Sequence, residues 1–337
     1  MYPMISKINR LNYLTTIISV ILAIFIFEFG LRLFIDNPII HIPENEPVIF
    51  EYDPNLGWKG KKGQYIFPPY SLSGKETQLS ILEDGARITS ITQNSVRNTL
   101  PKIVFCGGSF VQGWGVDDCE TWAWKVQEKL ENFEVLNYGT SGYGTYQSLL
   151  MLERNLPLLN KTKVVFYGFI DHHELRNIAG TIWIKILNRS SKRKQVYVPY
   201  ATIDKDSVLK RNSPEKYDNF PFHKHSRVIQ LLEDVRDKFA GDDRIYNKRV
   251  VTEKVILEMN KLCESNGVTF VFVILSASKE VKDHYIKYSD NNHIKVIDAN
   301  VELSEDMIVE GDGHPNEKVH LEWANIFLKE FKKIEID

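Results

Sequence analysis

The stretch Lys102–Val116 reads KIVFCGGSFVQGWGV. Its first half, Ile103, Val104, Phe105 and Cys106, is a short apolar run of the kind that forms a buried strand. It runs directly into Gly107-Gly108 and then Ser109. Without a Cβ, glycine allows a sharp turn and a close backbone approach. Such a turn lifts the Ser109 hydroxyl out at the carboxyl end of a strand, where open α/β sheets bind their ligands. Gly113 and Gly115 keep the next loop thin before an amphipathic helix that starts near Thr121. A serine held this way is a candidate nucleophile. On this stretch alone, a glycine-rich turn with an incidental serine remains an alternative.

Downstream, strands and helices alternate. Phe133–Tyr138 (FEVLNY) reads as a second strand and ends in the loop Gly139–Thr145 (GTSGYGT). Tyr146–Leu156 is helical up to Pro157, and Lys163–Ile170 (KVVFYGFI) is a third strand. Thr252 is placed to cap a helix through Cys263 that Asn266-Gly267 closes. Val268–Leu275 (VTFVFVIL) reads as a strand buried on both faces, and His293–Ile297 as a short fifth. Leu321, Ala324, Leu328 and Phe331 stripe a last helix. The alternation predicts a parallel sheet covered on both sides, a three-layer α/β domain from residue 101 to 337. It carries an insert over about 178–250, in which Ser226–Phe239 reads as a helix with Val228, Leu231, Leu232 and Val235 on one face; Ser190–Gln195 is a basic loop.

The amino terminus is of another kind. Leu11–Phe27 is an uninterrupted uncharged run, followed by Glu28 and Arg32. A span needs about 20 residues of helix, so residues 11–34 suffice when Glu28 and Arg32 sit at the far interface and Arg32 snorkels outward. Lys7 and Arg10 before the run predict a cytoplasmic tail over residues 1–10 and an extracytoplasmic body. No small-residue cleavage site follows, which favours an uncleaved signal anchor. Residues 35–100 then read as a stalk punctuated by Pro38, Pro43, Pro47 and Pro54. Short strands expected over Tyr52–Lys59, Gln64–Tyr70 and Ile81–Asn94 would pack on the main domain.

A net charge of −2 gives no reason to expect nucleic acid. Three cysteines, Cys106, Cys119 and Cys263, cannot all pair and lack zinc spacing; Cys106 and Cys263 read as buried thiols. Nothing calls for a metal or a cofactor.

An activated serine needs a base and a group that orients it. His314, in Glu310–Asn316 (EGDGHPN), is the candidate base. Asp312 two residues earlier can hold one ring nitrogen while the other faces Ser109, and Pro315 can open the last helix. The other reading of this stretch is a helix-capping turn. The backbone N–H groups of Ser109 and Gly142 are candidate oxyanion donors. The alternative for the Gly142 loop is a tight strand-to-helix turn.

Gly107-Gly108-Ser109-Phe110, the Gly142 loop in NYGTSGYGTYQ and Asp312-Gly313-His314-Pro315 occur in the order seen in SGNH/GDSL hydrolases, and the chain resembles that family over Pro101–Phe331. The membrane anchor followed by YDPNLGW resembles its extracytoplasmic members. The resemblance implies a flavodoxin-like fold, with Ser109 as nucleophile, His314 as base, Asp312 as its orienting acid and Gly142 as oxyanion donor. It implies a membrane-anchored serine esterase or O-acyltransferase acting on acyl or acetyl esters of envelope carbohydrate or lipid. The alternative is an inert binding or scaffold relative in envelope-polymer assembly.

Three positions depart from the family pattern. Gly108 stands where an aspartate is usual. Asp312 precedes His314 by two residues, where the commoner spacing would fall on Gly311. Ile170 occupies the place of an oxyanion-binding asparagine, and His172, His173 or Asn177 is expected to replace that donor. Asp171-His172-His173 also matches the triplet of DHH phosphoesterases, but the other clusters a two-metal site needs are missing. An α/β-hydrolase elbow, G-x-S-x-G, is disfavoured by Val111.

Overall fold

The computed structural model describes residues 2–34, 45–93, 99–190, 192, 196–223 and 225–334, with side chains from residue 12 onward. Pro38, Pro43 and most of the basic loop at 190–195 lie outside the described residues. The chain divides into two units: Met1–Ile40 with Tyr217–Asp242, and His41–Lys216 with Asp243–Asp337. Residues 217–242, inside the expected insert, thus group with the amino-terminal helix.

In the larger unit two antiparallel hairpins come first. The first joins β1 (Phe50–Asp53) to β2 (Gly57–Gly60), and the second joins β3 (Gly63–Phe67) to β4 (Thr77–Ile81). The central sheet follows: β5 (Lys102–Gly107), β6 (Glu134–Gly139), β7 (Thr162–Ile170), β10 (Thr269–Ser276) and β11 (Lys295–Asp298). Between β7 and β10 the chain adds a third antiparallel hairpin, β8 (Tyr197–Ile203) with β9 (Leu209–Lys216). The five strands of the sheet are all parallel, in the order β11-β10-β7-β5-β6. Counting sheet strands only, that is 2-1-3-4-5 read from the other edge, a flavodoxin-like arrangement with its switch point at the first strand. The three-layer α/β fold is therefore as expected.

Side chains alternate between two buried faces, as a doubly covered sheet requires. Ile103, Phe105, Phe166, Val271 and Val273 pack with α3 (Trp122–Gln127) and α10 (Glu317–Phe331) through Trp122, Val126, Trp323 and Phe327. On the opposite face, Phe169 and Phe272 meet Tyr285 of α9 (Lys279–Asn291). That side also carries α4 (Thr145–Asn155), which packs on α8 (Lys248–Ser265).

Several expected boundaries shift. Thr252 does not cap α8, which begins at Lys248; its hydroxyl donates to the Lys248 carbonyl inside the helix. Pro315 precedes α10, whose cap is Asn316, accepting from Lys318 N–H. Along α10 the buried stripe is Val319, Trp323, Ala324, Phe327 and Phe331, and Leu321 is 49% exposed. Of the strand expected over Ile81–Asn94, Ile81 ends β4 and Arg87 makes isolated bridges to Ile81 and Asn137, with no further strand among the described residues; Asn94 lies outside them. The unread part of the insert contains β8, β9 and α6 (Thr181–Arg189).

The smaller unit holds α1 (Tyr2–Phe34) and α7 (Arg227–Ala240). Within α1, Asn12–Phe34 is long and apolar enough to cross a membrane, with mean hydropathy 2.3 and no part of it buried.

Candidate active site

The carboxyl end of β5 builds the turn. Gly107 has φ +153°, and a Cβ there would lie 2.6 Å from the Gly168 carbonyl oxygen, so only glycine fits against β7. Gly108 caps the short helix α2 (Ser109–Gln112), and Ser109 is its first residue, almost fully buried. Asn137 in β6 fixes this helix to the neighbouring loop: its amide donates to Val111 O at 3.0 Å and its oxygen accepts from Gly139 N–H at 3.0 Å. Gln112 Oε1 accepts from Ser141 N–H at 2.9 Å. The Ser109 turn and the Gly142 loop are thereby locked together.

His314 Nε2 lies 2.9 Å from Ser109 Oγ. His314 Nδ1 lies 2.6 Å from Asp312 Oδ2, and the same carboxylate accepts from His314 N–H at 3.2 Å. The two-residue spacing closes without strain because Gly313 takes φ +87°, and the Asp312-to-His314 turn folds back on itself. Burial alone would raise the Asp312 carboxyl, but hydrogen bonds and charge from His314, with the Trp114 indole, hold it below the usual carboxylate range. Phe110 and Trp114 flank the imidazole at ring separations of 5.9 and 6.3 Å.

Gly142 has φ +86° and is walled by aromatic and aliphatic groups: a Cβ there would reach 2.9 Å from Trp58, 3.6 Å from Leu187 and 3.7 Å from Trp183. Neither Ser109 N–H nor Gly142 N–H donates to an acceptor among the described residues. The segment before the sheet contributes directly. Trp58 Nε1 donates to Ser141 O at 3.0 Å, Tyr143 OH donates to Trp58 O, and Gln147 donates to Leu56 O at 2.8 Å. Arg154 holds Asp53 in a two-pronged ion pair.

The three expected replacements for the Ile170 position separate. The Asn177 amide is consumed: it donates to Thr145 and Thr252 hydroxyls and accepts from Tyr146 N–H. His172 is exposed, with its ring 3.9 Å from Asp171. His173 is buried at the nucleophile turn. Its Nδ1 lies 2.6 Å from Tyr167 OH, and its unpartnered Nε2 would be 2.8 Å from a Cβ on Gly108. Burial, then the charge of Arg176, holds this imidazole well below its ordinary pKa, so it is neutral. Asp171, His172 and His173 do not gather into a site, and no metal-holding cluster occurs among the described residues.

Sequence reasoning missed Arg176. It is buried on α5 (His173–Asn177), three residues after His173 and hence on the same helical face. Its Nη1 donates to Tyr143 O at 2.9 Å and would lie 3.1 Å from a Gly108 Cβ; its guanidinium stacks 4.5 Å over the Trp183 ring. Burial pulls its pKa down to about 10, which leaves it charged. His173 and Arg176 thus fill the space beside Gly108 that an aspartate side chain would need. Arg87 was also missed. It is fully buried, pairs with Asp118 at 2.7 Å, and donates to the carbonyls of Gln112, Gly113, Val116 and Gln78, fixing the loop behind α2.

No family model and no curated protein matches the sequence. The chain is similar to solved structures of GDSL hydrolases. A member of the lipolytic G-D-S-L family from Veillonella parvula is 15% identical, covering 69% of this chain and 99% of its own, with a TM-score of 0.40. A psychrotrophic esterase from Pseudoalteromonas sp. is 11% identical over 69% and 97%, TM-score 0.40. A GDSL-like lipase from Bacteroides thetaiotaomicron is 14% identical over 71% and 92%, TM-score 0.38.

Proposed function

We propose that the chain is a serine esterase or O-acyltransferase, anchored by α1 with its larger unit outside the membrane. One observation carries the reading: Ser109 Oγ, His314 and Asp312 form a continuous hydrogen-bonded relay at the carboxyl end of the sheet. His314 Nε2 takes the Ser109 proton as Oγ attacks an ester carbonyl. Asp312 holds the opposite nitrogen and balances the imidazolium that forms. The N–H groups of Ser109 and Gly142 receive the oxyanion, and the buried Arg176 cation beside Gly108 adds a favourable field. His314 then returns the proton to the departing alcohol, leaving an acyl group on Ser109. Water, or an acceptor hydroxyl, releases it by the reverse sequence. Trp58, Trp183 and Leu187 give an apolar wall suited to an acyl chain or a sugar face. Acyl or acetyl esters of envelope carbohydrate or lipid are the substrates we assign.

Ile170, which cannot donate a hydrogen bond, favours a second reading, an inert binding relative. Fluorophosphonate labelling of the full chain in membranes separates the two. The expected result is label on Ser109 that Ser109→Ala abolishes; a folded wild-type protein that takes no label would overturn the enzymatic reading.

A further inference from the structure

Helix α7 is built inside out for a protein surrounded by water. Its Ser226 cap accepts from Ile229 N–H at 3.2 Å, a sound helix start. The buried side carries the polar residues. Glu233 is 0% exposed and accepts from Phe220 N–H, Gln230 donates to His223 O, and Asp237 accepts from Tyr217 OH. On the other side, at helical spacing, stand Leu231, Leu232, Val235 and Phe239, of which Phe239 is 86% exposed. Phe222, just before the helix, is also exposed. An amphipathic helix in water turns the apolar stripe inward; here the stripe is exposed.

The place where α7 begins supplies the reason. Glu28 of α1 accepts from Arg227 N–H and Val228 N–H, both at 3.0 Å, and from Ser226 Oγ at 2.9 Å. Arg32 closes the same cluster, bonding Glu28 at 2.7 Å and the His225 carbonyl. The two charges inside the apolar run are thus matched by the first turn of α7. Glu28 lies less than two turns before Phe34, the end of the candidate span, which at about 1.5 Å per residue is about 9 Å along the axis. Interfacial helices bury their apolar face about 5–10 Å into the headgroup and acyl boundary. A helix pinned to Glu28 starts at that depth.

We infer that α7 lies in the outer membrane–water interface with Leu231, Leu232, Val235 and Phe239 in lipid, so that α1 and α7 form one membrane-docking unit. Arg227 and Lys238 flank the stripe, where they meet anionic headgroups. The inference rests on the reading of α1 as a membrane span.

The test uses the full chain in liposomes of phosphatidylethanolamine and phosphatidylglycerol. An environment-sensitive NBD label is placed through Leu232→Cys or Phe239→Cys in a Cys119→Ser background, with the exposed Cys119 of the wild type as the aqueous control. Alkaline carbonate extraction is run beside it as the test of the span. The expected result is a carbonate-resistant protein in which both α7 labels are blue-shifted, quenched by shallow doxyl-labelled lipid and shielded from iodide. Carbonate-resistant protein with α7 labels open to iodide overturns the inference and leaves the span intact. Labels shielded from both quenchers overturn it in favour of a protein contact. Release by carbonate overturns the span itself and the inference with it.

Discussion

Replacing Asp312 with asparagine isolates the element of the site that sets the His314 tautomer. Asp312 is buried, and its carboxylate meets the imidazole at 2.6 Å while His314 Nε2 meets Ser109 Oγ at 2.9 Å. An amide of the same size has two orientations. With its NH2 group toward Nδ1, it requires that nitrogen to be bare, which puts the ring proton on Nε2, where Ser109 needs a lone pair. With its oxygen toward Nδ1, the tautomer survives but the negative charge opposing the imidazolium is gone. Two unit charges about 4 Å apart at an effective dielectric of about 20 interact by roughly 4 kcal/mol. At about 1.4 kcal/mol per tenfold in rate, that charge alone is worth on the order of 10³. With the tautomer penalty added, Asp312→Asn is expected to lower kcat/KM by about 10³–10⁴. The assay is hydrolysis of p-nitrophenyl acetate by the full chain in detergent, with thermal melting to show that the fold is kept. A loss smaller than about tenfold, 1.4 kcal/mol, with unchanged melting refutes the assignment of Asp312 as the orienting acid.

Arg87→Met leaves the buried Asp118 carboxylate without its partner, and removing one member of a buried pair costs about 3–5 kcal/mol. Denaturant unfolding should show that loss, and a change below about 1 kcal/mol, the scale of a surface pair, would contradict it. Burial pushes the Glu46 carboxyl up to about 7, with the charge of Asp312 adding and Lys192 opposing. Between its ordinary value of 4.5 and about 7 the folded state holds a proton the unfolded state has lost, so this group lowers stability as pH rises through that window. Glu46→Gln should remove that decline while leaving stability above the window flat with respect to this group; parallel melting-versus-pH curves for the two proteins would contradict the burial argument.

The parts of the fold legible in the sequence were those written in local patterns. The apolar runs at Ile103, Lys163 and Val268 and the glycine breaks after them mark strands and turns wherever they sit, and they gave the sheet. The Asp312-Gly313-His314 segment is likewise local, because one tight turn carries both side chains. Contacts made across long sequence separations were not legible. Arg87 looked like part of a strand because nothing nearby in sequence announces the carbonyls it collects from residues 112–116. Asn177 looked available because its acceptors, Thr145 and Thr252, come from two other elements. His173 and Arg176 could have been linked by their three-residue spacing, but only the structure brings that helical face to Gly108. The helix at Ser226 was legible as a helix, while the bonds from its first turn to Glu28, about two hundred residues away, were not.

Trp58 is held by Ser141 on one side and Tyr143 on the other, and it reaches the Gly142 backbone from a hairpin outside the sheet. On the proposed function, reaction and recognition are therefore encoded in separate stretches of chain. Ser109 follows β5 after Gly108, and Asp312 and His314 come from the turn before α10. The wall against Gly142 comes from the β1–β2 hairpin and from α6, two elements that contribute no strand to the central sheet. On the proposed function, one ester could be exchanged for another by changes in those two peripheral elements alone, with Ser109, Asp312 and His314 left as they are.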